Sequence, residues 1–368
     1  MVDFYGTHQA GIATAAQDHI AFASFDVVSG SAQELLAMLD SWSAAAARLS
    51  TGRPLPGPSD TALPPTDTGE ALGLGPSRLT LSWGVGPTLF TIPAGASLRR
   101  PSGLVALPNF AGDQLDPTRS DGDLCLQACA DDPQVAFHAI HSLARIGEGV
   151  VTLRAVQRGF GRTSTTTSAQ TTQRNLLGFK DGTNNLLADR PGDLDEFVWL
   201  PSGEEPRWMA GGSYLVMRRI RTRLELWGAT ALSIQEAAIG RSKISGAPLG
   251  AHHEHDRVDL AAVGAHGLPV IPEGAHIRVA SPEANAGQRI LRRGYSFADG
   301  IDPANGELDA GLLFISFQRD PRSQFVSLQR RLAANDALHG YLTHTASGLY
   351  ACPRGINPTQ GWGELLTT

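Results

Sequence analysis

The chain has 368 residues, of which 42% are hydrophobic, and Lys+Arg 30 against Asp+Glu 36 gives a formal net charge of -6. This length allows one large domain or two ordinary domains with separate cores, and the acidic balance argues against a nucleic-acid partner. No apolar run reaches the roughly 18 residues that are needed to cross a bilayer, so we predict no membrane span.

The first half of the chain alternates between strand and helix signals. Ser31 is a suitable N-cap for an Ala/Leu-rich helix, and Pro133 fits the first turn of a second helix. In chain order, we predict a strand at 18–28, a helix at 32–49, strands at 78–85 and 123–130, a helix from 131 or 132 to 145, and a strand at 150–158. This βαββαβ order is that of a ferredoxin-like domain.

The second half repeats this order after a polar stretch of low complexity at 164–173, which we interpret as a linker. The predicted elements are strands at 212–220, 289–297, 312–318 and 348–352, helices at 222–241 and 321–334, and a long loop at 245–274. We therefore predict an α+β fold of two tandem, duplicated ferredoxin-like (βαββαβ) domains with antiparallel sheets. The predicted limits are 1–163 for the N-terminal domain, 164–211 for the linker with the GFKDG loop, and 212–368 for the C-terminal domain.

Two stretches carry most of the residues that are suited to chemistry. The first, at 175–185, reads NLLGFKDGTNN and predicts a turn at Asp-Gly with Asp181 at its tip. The second, at 276–297, reads HIRVASPEANAGQRILRRGYSF; we predict a short extended run led by His276 and a returning strand with Arg292 and Arg293. An imidazole and a guanidinium in one cavity suit a flat cofactor that lies between an iron ligand and a group facing a bound oxidant.

These motifs, with the opening pattern FxGxHQAGI at 4–12 and GLLFISFQ at 311–318, resemble the dye-decolourising peroxidases over nearly the whole chain. The opening motif is similar to that of the A-type-like branch, which bacteria usually export. The resemblance implies two ferredoxin-like domains, with the cofactor held mainly by the second. It also implies a peroxidase that reduces hydrogen peroxide and oxidises bulky aromatic, dye-like reductants through a ferryl intermediate. The cofactor would be haem b, bound without a covalent attachment because no CxxCH motif occurs.

The resemblance also implies roles for three residues. His276 would be the axial iron ligand, Asp181 the carboxylate that moves a proton between the peroxide oxygens, and Arg292 the cation that stabilises the leaving hydroxide. A guanidinium suits this last role because it stays charged and offers fixed donors. Strand alternation puts Arg292 and Arg293 on opposite faces, so we expect only Arg292 to face the pocket.

Further contacts with the haem follow from the same motifs. We expect Leu312 and Phe314 to form an apolar distal wall, and the neighbours of Asp181, Lys180 and Gly182, to touch the haem edge. The remaining candidates lie after His276 or after the last motif: Ser281, Pro282 and Asp320. Glu283 stands where relatives often have Arg, and an acidic side chain cannot pair with a haem propionate as an Arg would. Asp320 is expected either to hydrogen-bond the outer nitrogen of His276 or to cap a helix.

Two further groups of residues allow more than one interpretation. Four aromatic residues could relay electrons from a large reductant or simply pack in the core: Tyr295, Trp227, Tyr341 and Trp362. Among three cysteines, Cys125 and Cys129 are four apart in a predicted strand, roughly 13 Å along it, so we expect no disulfide between them.

Two other functions remain open at this point. The run HHEHD at 252–256 could bind zinc or copper, although a solvated loop is the simpler interpretation. Removal of iron from haem would use the same His and Arg as a peroxidase. The resemblance further implies export through a twin-arginine signal that this chain lacks, or a cytoplasmic protein if no signal exists, and a possible homo-oligomer.

Overall fold

In the computed structural model, residues 1–57, 60, 62–204 and 206–368 are described. The N-terminal half contains β1 (His19–Val27), α1 (Ala32–Ser50), β2 (Thr80–Val85), β3 (Leu124–Ala130), α2 (Pro133–Ile146) and β4 (Val151–Arg162). The helix starts follow their caps: Ser31 accepts the N–H of Glu34, and the Asp132 carboxylate accepts the N–H of Gln134 ahead of α2.

The C-terminal half contains a longer list of elements. These are α3 (Pro191–Phe197), β5 (Ser213–Thr222), α4 (Leu224–Ala229), α5 (Leu232–Ile239), α6 (His276–Val279), β6 (Leu291–Arg292), β7 (Tyr295–Ile301), β8 (Leu308–Gln318), α7 (Ser327–Asn335), β9 (Leu342–Cys352) and α8 (Trp362–Leu366). A π-helix, Arg322–Val326, leads directly into α7. Within the described part of the chain, no helix has the length and apolar character that a membrane crossing requires.

Both halves have the strand order of a ferredoxin-like sheet. The N-terminal strands lie in the order β4-β1-β3-β2, and the C-terminal strands in the order β9-β5-β8-β7, with antiparallel pairing throughout. The two sheets also join at both edges, where Val85 pairs with Ala351 and Phe160 pairs with Ser296. The predicted duplicated fold is therefore confirmed, and the two sheets together form a closed ring of strands. The periodicity of the sequence does not predict that the two sheets join at both edges.

The closed ring separates two main cores. One is enclosed by the strands and contains Phe22, Tyr295, Phe317 and the three cysteines. The other lies between the outer faces of the strands and the helices, around Trp42, Trp83 and Leu143. All three cysteines are buried and free, as predicted for Cys125 and Cys129.

The opening motif connects two parts of the fold that are distant in sequence. The Gln9 side chain exchanges hydrogen bonds with the backbone of Trp83 and donates to the carbonyl of Pro353 at 2.9 Å. The motif therefore ties β2 to the segment after β9. The 164–173 segment is also held in place, because Thr166 accepts the N–H of Ala16 at 2.8 Å and donates to the carbonyl of Thr14.

Three predicted elements differ from the structure. The run at 276–279 is the short helix α6 instead of a strand, since Ala280 N–H bonds the His276 carbonyl and no strand pairs with it. The strand predicted at 289–297 is broken between β6 and β7 around Gly294, where an added Cβ would lie 2.6 Å from Oγ1 of Thr163. The helix predicted at 222–241 is divided into α4 and α5.

Candidate active site

His276 is the first residue of α6, and its imidazole is held by a buried carboxylate. Its Nδ1 is hydrogen-bonded to Oδ2 of Asp336 at 2.6 Å. Asp336 follows α7, and its second oxygen accepts the N–H of Leu338, so the carboxylate is fixed from two sides. This arrangement leaves Nε2 of His276 free to bind a metal.

The environment of His276 combines burial with charge. The side chain of His276 is 35% exposed to solvent, whereas that of Asp336 is 5% exposed. Burial alone would lower the pKa of His276, but the negative charge of Asp336, assisted by that of Asp181, raises it above the ordinary value. The positive charge of Arg292 opposes this rise. The charges of Asp181 and Arg292 thus both act on the imidazole.

Asp181 lies between two turns rather than at the tip of one. The N–H of Gly178 bonds the Asn175 carbonyl in the first turn, and the N–H of Asn185 bonds the Gly182 carbonyl in the second. The Asp181 N–H donates to Gln173, which completes a short hairpin. The predicted Asp-Gly tip is therefore wrong in detail, because the reversal occurs earlier, where Gly178 adopts a φ of 84°.

Arg292 reaches the carboxylate of Asp181. Its Nη1 donates to Oδ1 of Asp181 at 2.7 Å, and the other carboxylate oxygen accepts from the Asn175 side chain at 3.1 Å. Asn185 fixes the backbone of Arg292 by accepting its N–H and donating to its carbonyl, both at 2.8 Å. The sequence interpretation missed this role of Asn185, although the residue closes the same GFKDGTNN motif.

Arg293 points away from this pair. It is fully buried and donates to the Thr14 carbonyl and to the Gln17 side chain. The two adjacent arginines therefore occupy opposite faces of the strand, as alternation requires.

An apolar surface lies on the same side as Arg292. Because Arg292 pairs with Ser316 across β6 and β8, alternation along β8 puts Phe314 and Leu312 on this face. Both residues are only partly buried, whereas their neighbours Leu313 and Ile315 are completely buried on the other face. Phe314 also packs on Phe325, with ring centroids 6.0 Å apart.

The two neighbours of Asp181 have separate partners. The Lys180 ammonium forms an ion pair with Glu254 of the long loop. Gly182 adopts a φ of 94° and packs on the 163–165 segment, where an added Cβ would lie 2.8 Å from Cα of Ser164. The glycine is thus required for close backbone contact at this point.

Two of the remaining predicted contacts, Ser281 and Pro282, lie in the turn that follows α6 in the chain. Ser281 is buried and accepts the N–H of Ala284, while the carbonyl of Pro282 accepts the N–H of Gly287. Of the two alternatives for Asp320, the structure shows the cap and not the bond to His276. The Asp320 carboxylate accepts the N–H and the guanidinium of Arg322 at the start of the following helical turn.

Asp336 is the residue that sequence reasoning missed in favour of Asp320. Both residues precede helical turns, and only the fold distinguishes which carboxylate comes back to His276. A capping Asp at the end of α7 carries no other signal in the sequence.

The HHEHD run at 252–256 does not form a metal cluster. The N–H groups of His252 and His253 donate to Asp256, the histidine side chains are exposed, and Glu254 pairs with Lys180. No group of three or more His, Cys, Asp or Glu side chains within the described ranges has metal-binding geometry.

Two of the four aromatic candidates lie in one contact chain beside the hairpin. The Trp227 ring is 4.9 Å from that of Tyr341 and 6.0 Å from that of Phe179, two residues before Asp181. By contrast, Trp362 stacks on Trp83 in the N-terminal core, and Tyr295 is enclosed by the strands.

The chemistry of this donor set fits a haem. One side offers an imidazole whose outer nitrogen is anchored by a carboxylate, another offers a carboxylate with a guanidinium, and a partly exposed apolar wall shares the face of the guanidinium.

The sequence and the fold of this chain match known proteins over most of its length. Residues 9–161 match the family described as Dyp-type peroxidase, N-terminal, and residues 172–357 match Dyp-type peroxidase, C-terminal. The chain is 41% identical over 321 residues to Dye-decolorizing peroxidase of Thermobifida fusca (strain YX), which covers 86% of this chain and 72% of that protein. It is 35% identical over 358 residues to Deferrochelatase of Escherichia coli (strain K12), which covers 96% of this chain and 84% of that protein.

Solved structures agree with this assignment. The X-ray generated oxyferrous complex of DtpA from Streptomyces lividans has a TM-score of 0.90 and 39% identity, and the match covers 100% of this chain and 97% of that one. The matches in sequence and in structure both cover the two halves of the chain and the candidate site. This chain belongs to the Dyp-type peroxidase family and is a haem-dependent peroxidase.

Proposed function

We propose that the chain binds haem b without a covalent bond and that Nε2 of His276 is the axial ligand. The pairing of His276 with Asp336 at 2.6 Å carries this proposal, because it fixes the ring and leaves Nε2 free. A carboxylate on the outer nitrogen also makes an imidazole a stronger electron donor.

When bound, the haem supplies the redox chemistry by which peroxide is reduced and a second substrate is oxidised. Asp181 takes a proton from the inner oxygen of hydrogen peroxide and returns it to the outer oxygen, which leaves as water. Arg292 stabilises the negative charge that develops as the O–O bond breaks. Their hydrogen bond at 2.7 Å supports a joint role, since the guanidinium orients the carboxylate.

The other cofactor contacts follow from the position of these two pairs. We assign the apolar wall to Leu312 and Phe314, and the edge contacts to the Lys180–Gly182 backbone. The turn that follows α6 supplies Ser281 and Pro282. Asp320 lies outside this set, because its carboxylate bonds the Arg322 guanidinium.

The second substrate is a bulky aromatic reductant of the dye type. Because such a molecule is too large for a closed pocket, we propose that electrons pass through Tyr341 and Trp227, whose rings are in edge contact. Tyr341 ends the 3₁₀ helix that Asp336 caps, so it is connected to the axial His by a short, ordered segment.

The proposal also covers the domain limits, the location of the protein and its oligomeric state. The domain limits are residues 163 and 212, on either side of the segment that carries the hairpin. The protein acts after export, and it assembles as a homo-oligomer. Gel filtration and fractionation of the natural host would test the last two statements.

Iron release from haem is the second candidate function. The observation that favours it is the 35–36% identity to several proteins named Deferrochelatase over 96% of this chain. The reaction would produce iron-free porphyrin, which is fluorescent, whereas a peroxidase leaves the haem intact and consumes the dye.

The first experiment is an absorption spectrum of the haem-loaded protein before and after one equivalent of hydrogen peroxide. We expect a sharp Soret band that changes within seconds and returns when a dye is oxidised. A Soret band that does not change on addition of peroxide, together with porphyrin fluorescence under reducing conditions, would favour iron release. His276→Ala should lose the Soret band; an unchanged band would refute the axial assignment.

A further inference from the structure

Glu254 is the one acidic side chain in the HHEHD run that reaches the candidate active site. Its Oε2 pairs with the Lys180 ammonium, and its Oε1 accepts from Oγ1 of Thr183 at 3.1 Å. These two residues flank Asp181 and Gly182, so a single carboxylate holds the segment on both sides of Asp181. The Glu254 side chain is 11% exposed and that of Lys180 is 28% exposed, so this charge-assisted contact is partly buried.

The backbone of Glu254 is fixed independently of its side chain. Nη1 of the buried Arg241 donates to the Glu254 carbonyl at 2.9 Å and to the Gly246 carbonyl at 2.7 Å. Asp256 folds the loop by accepting two backbone N–H groups, those of His252 and His253. The carboxylate is thus presented by a preformed loop.

The same loop also holds the stem of Lys180. Gly246 adopts a φ of 77°, and an added Cβ would lie 2.7 Å from Cδ of Lys180. The backbone of the loop therefore contacts the methylene groups while Glu254 takes the ammonium. Burial would raise the pKa of Glu254, but hydrogen bonds from Lys180, Thr172 and Thr183 lower it, so the carboxylate is ionised at neutral pH.

Two ion pairs therefore lie on adjacent residues: Lys180 with Glu254, and Asp181 with Arg292. If Glu254 were neutral, the nearest acidic group along the chain for the Lys180 ammonium would be Asp181. Lys180 would then compete with Arg292 for the same carboxylate. In the structure the Lys180 ammonium and Arg292 are paired with different carboxylates.

We propose that Glu254 is a positioning residue for the peroxide reaction, which fastens the 180–183 segment and keeps the Lys180 ammonium away from Asp181. This inference rests on the proposed function, in which Asp181 and Arg292 act on peroxide. It also gives the HHEHD run a role that needs no metal: the loop carries the carboxylate that orders the reactive turn.

The test compares Glu254→Gln with the natural protein, both loaded with haem. Glutamine keeps the size and can still accept from Thr183, but it removes the charge that holds Lys180. We expect the rate constant for reaction with hydrogen peroxide to fall about tenfold, at the low end of what loss of an outer hydrogen-bond partner costs. The KM for the dye should stay unchanged. The affinity for fluoride, measured from the Soret band without turnover, should rise several-fold because Lys180 brings a positive charge to the site.

His253→Ala is the matched control, since it changes an exposed side chain of the same run and keeps both the Glu254 carboxylate and the bonds to Asp256. It should leave the peroxide rate and the fluoride affinity unchanged, and Glu254→Asp should restore part of the rate. If Glu254→Gln loads haem poorly, Thr183→Val, which removes one of the two contacts, should show a smaller change in the same direction.

Three results would overturn the inference. The first is a Glu254→Gln protein that matches the natural one in both measurements. The second is a His253→Ala protein that equals Glu254→Gln, which would mean that the effect is not specific to the Glu254 carboxylate. The third is a Thr183→Val protein without any change where Glu254→Gln cannot be loaded. Failure of the natural protein to react with peroxide would instead refute the proposed function itself.

Discussion

The carboxylate of Asp336 connects His276 to the segment that carries Tyr341. One oxygen lies 2.6 Å from Nδ1 of His276, and the other caps the 3₁₀ helix Ala337–Tyr341 through the N–H of Leu338. The side chain is 5% exposed, so water does not compete for these contacts. The same residue therefore orients the proposed iron ligand and begins the helical turn that ends in a candidate electron relay.

Asp336→Asn should weaken haem binding and slow the peroxide reaction. Asparagine keeps the shape but provides no negative charge to the imidazole, and loss of such an outer partner typically costs about 10- to 100-fold in affinity or activity. Titration of the haem-free protein with haem, followed by stopped-flow absorption with peroxide, measures both effects.

Asp320→Asn is the control for this prediction. Asp320 bonds Arg322 locally, so its replacement should leave haem affinity within experimental error. An Asp320 variant as impaired as the Asp336 variant would show that the observed pairing of His276 does not govern the iron.

The two adjacent arginines should respond differently to replacement by leucine. Arg292→Leu should retain haem but slow the peroxide reaction by about 10²- to 10³-fold, as expected when a transition-state charge loses its partner. Arg293→Leu should reduce the free energy of unfolding by about 1–3 kcal/mol, because the Thr14 carbonyl and the Gln17 side chain lose a buried donor. Peroxide kinetics and urea denaturation of both variants separate the two roles. If Arg293→Leu slowed the peroxide reaction and Arg292→Leu only lowered stability, Arg293 and not Arg292 would be the arginine that acts on peroxide.

Much of the fold could be predicted from local patterns. Ser31 and Asp132 cap the predicted helices, and the strands around β1, β3 and β8 lie where apolar runs indicate them. The closed ring of strands could not be predicted, because it depends on edge pairs such as Val85 with Ala351 that are distant in sequence. The HIRV run has β-branched residues but no neighbouring strand, so local hydrogen bonds make it a helix.

In the candidate site too, local patterns were predictable from the sequence and contacts between distant residues were not. Strand alternation correctly separated Arg292 from Arg293, since that rule is local. The sequence offers Asp320 as a partner of His276 or as a helix cap and does not indicate Asp336, because a contact between residues sixty positions apart is a property of the tertiary fold. Glu254 was grouped with exposed histidines for the same reason: only the folded loop shows that its carboxylate faces Lys180.

A carboxylate far from the active site should make stability depend on pH. Glu70 accepts hydrogen bonds from His138 at 2.8 Å and His141 at 2.7 Å, which ties the loop after α1 to α2. Burial would raise the pKa of Glu70, but the hydrogen bonds from Thr68, His138 and His141 lower it from 4.5 to about 2. Because the folded-state pKa is depressed, the stabilisation is present above pH 4.5 and is lost as the pH falls towards 2.

Glu70→Gln should therefore reduce the free energy of unfolding at pH 6 by about 1 kcal/mol, after allowance for solvent screening of this partly exposed group. The difference from the natural protein should shrink as the pH falls from 4.5 to 2. Urea denaturation at pH 6 and pH 3 gives the two values. Glu196→Gln, an exposed change in α3, is the control and should show no such dependence. A constant difference at both pH values would contradict the assigned cause.

Tyr341→Phe should reduce the oxidation of bulky dyes without affecting the reaction with peroxide. Phenylalanine preserves the edge contact with Trp227 at 4.9 Å but lacks the hydroxyl that can be oxidised and that is hydrogen-bonded to Thr230. We expect turnover of an anthraquinone dye to fall several-fold while a small phenolic reductant, which can enter the pocket, is oxidised at the natural rate. Steady-state kinetics with both reductants and stopped-flow reaction with peroxide measure the three quantities. Tyr5→Phe, at an exposed tyrosine of the N-terminal segment outside this contact chain, is the matched control. Equal losses with both reductants would mean that Tyr341 supports the site through packing, and equal losses in both variants would exclude a specific route through Trp227.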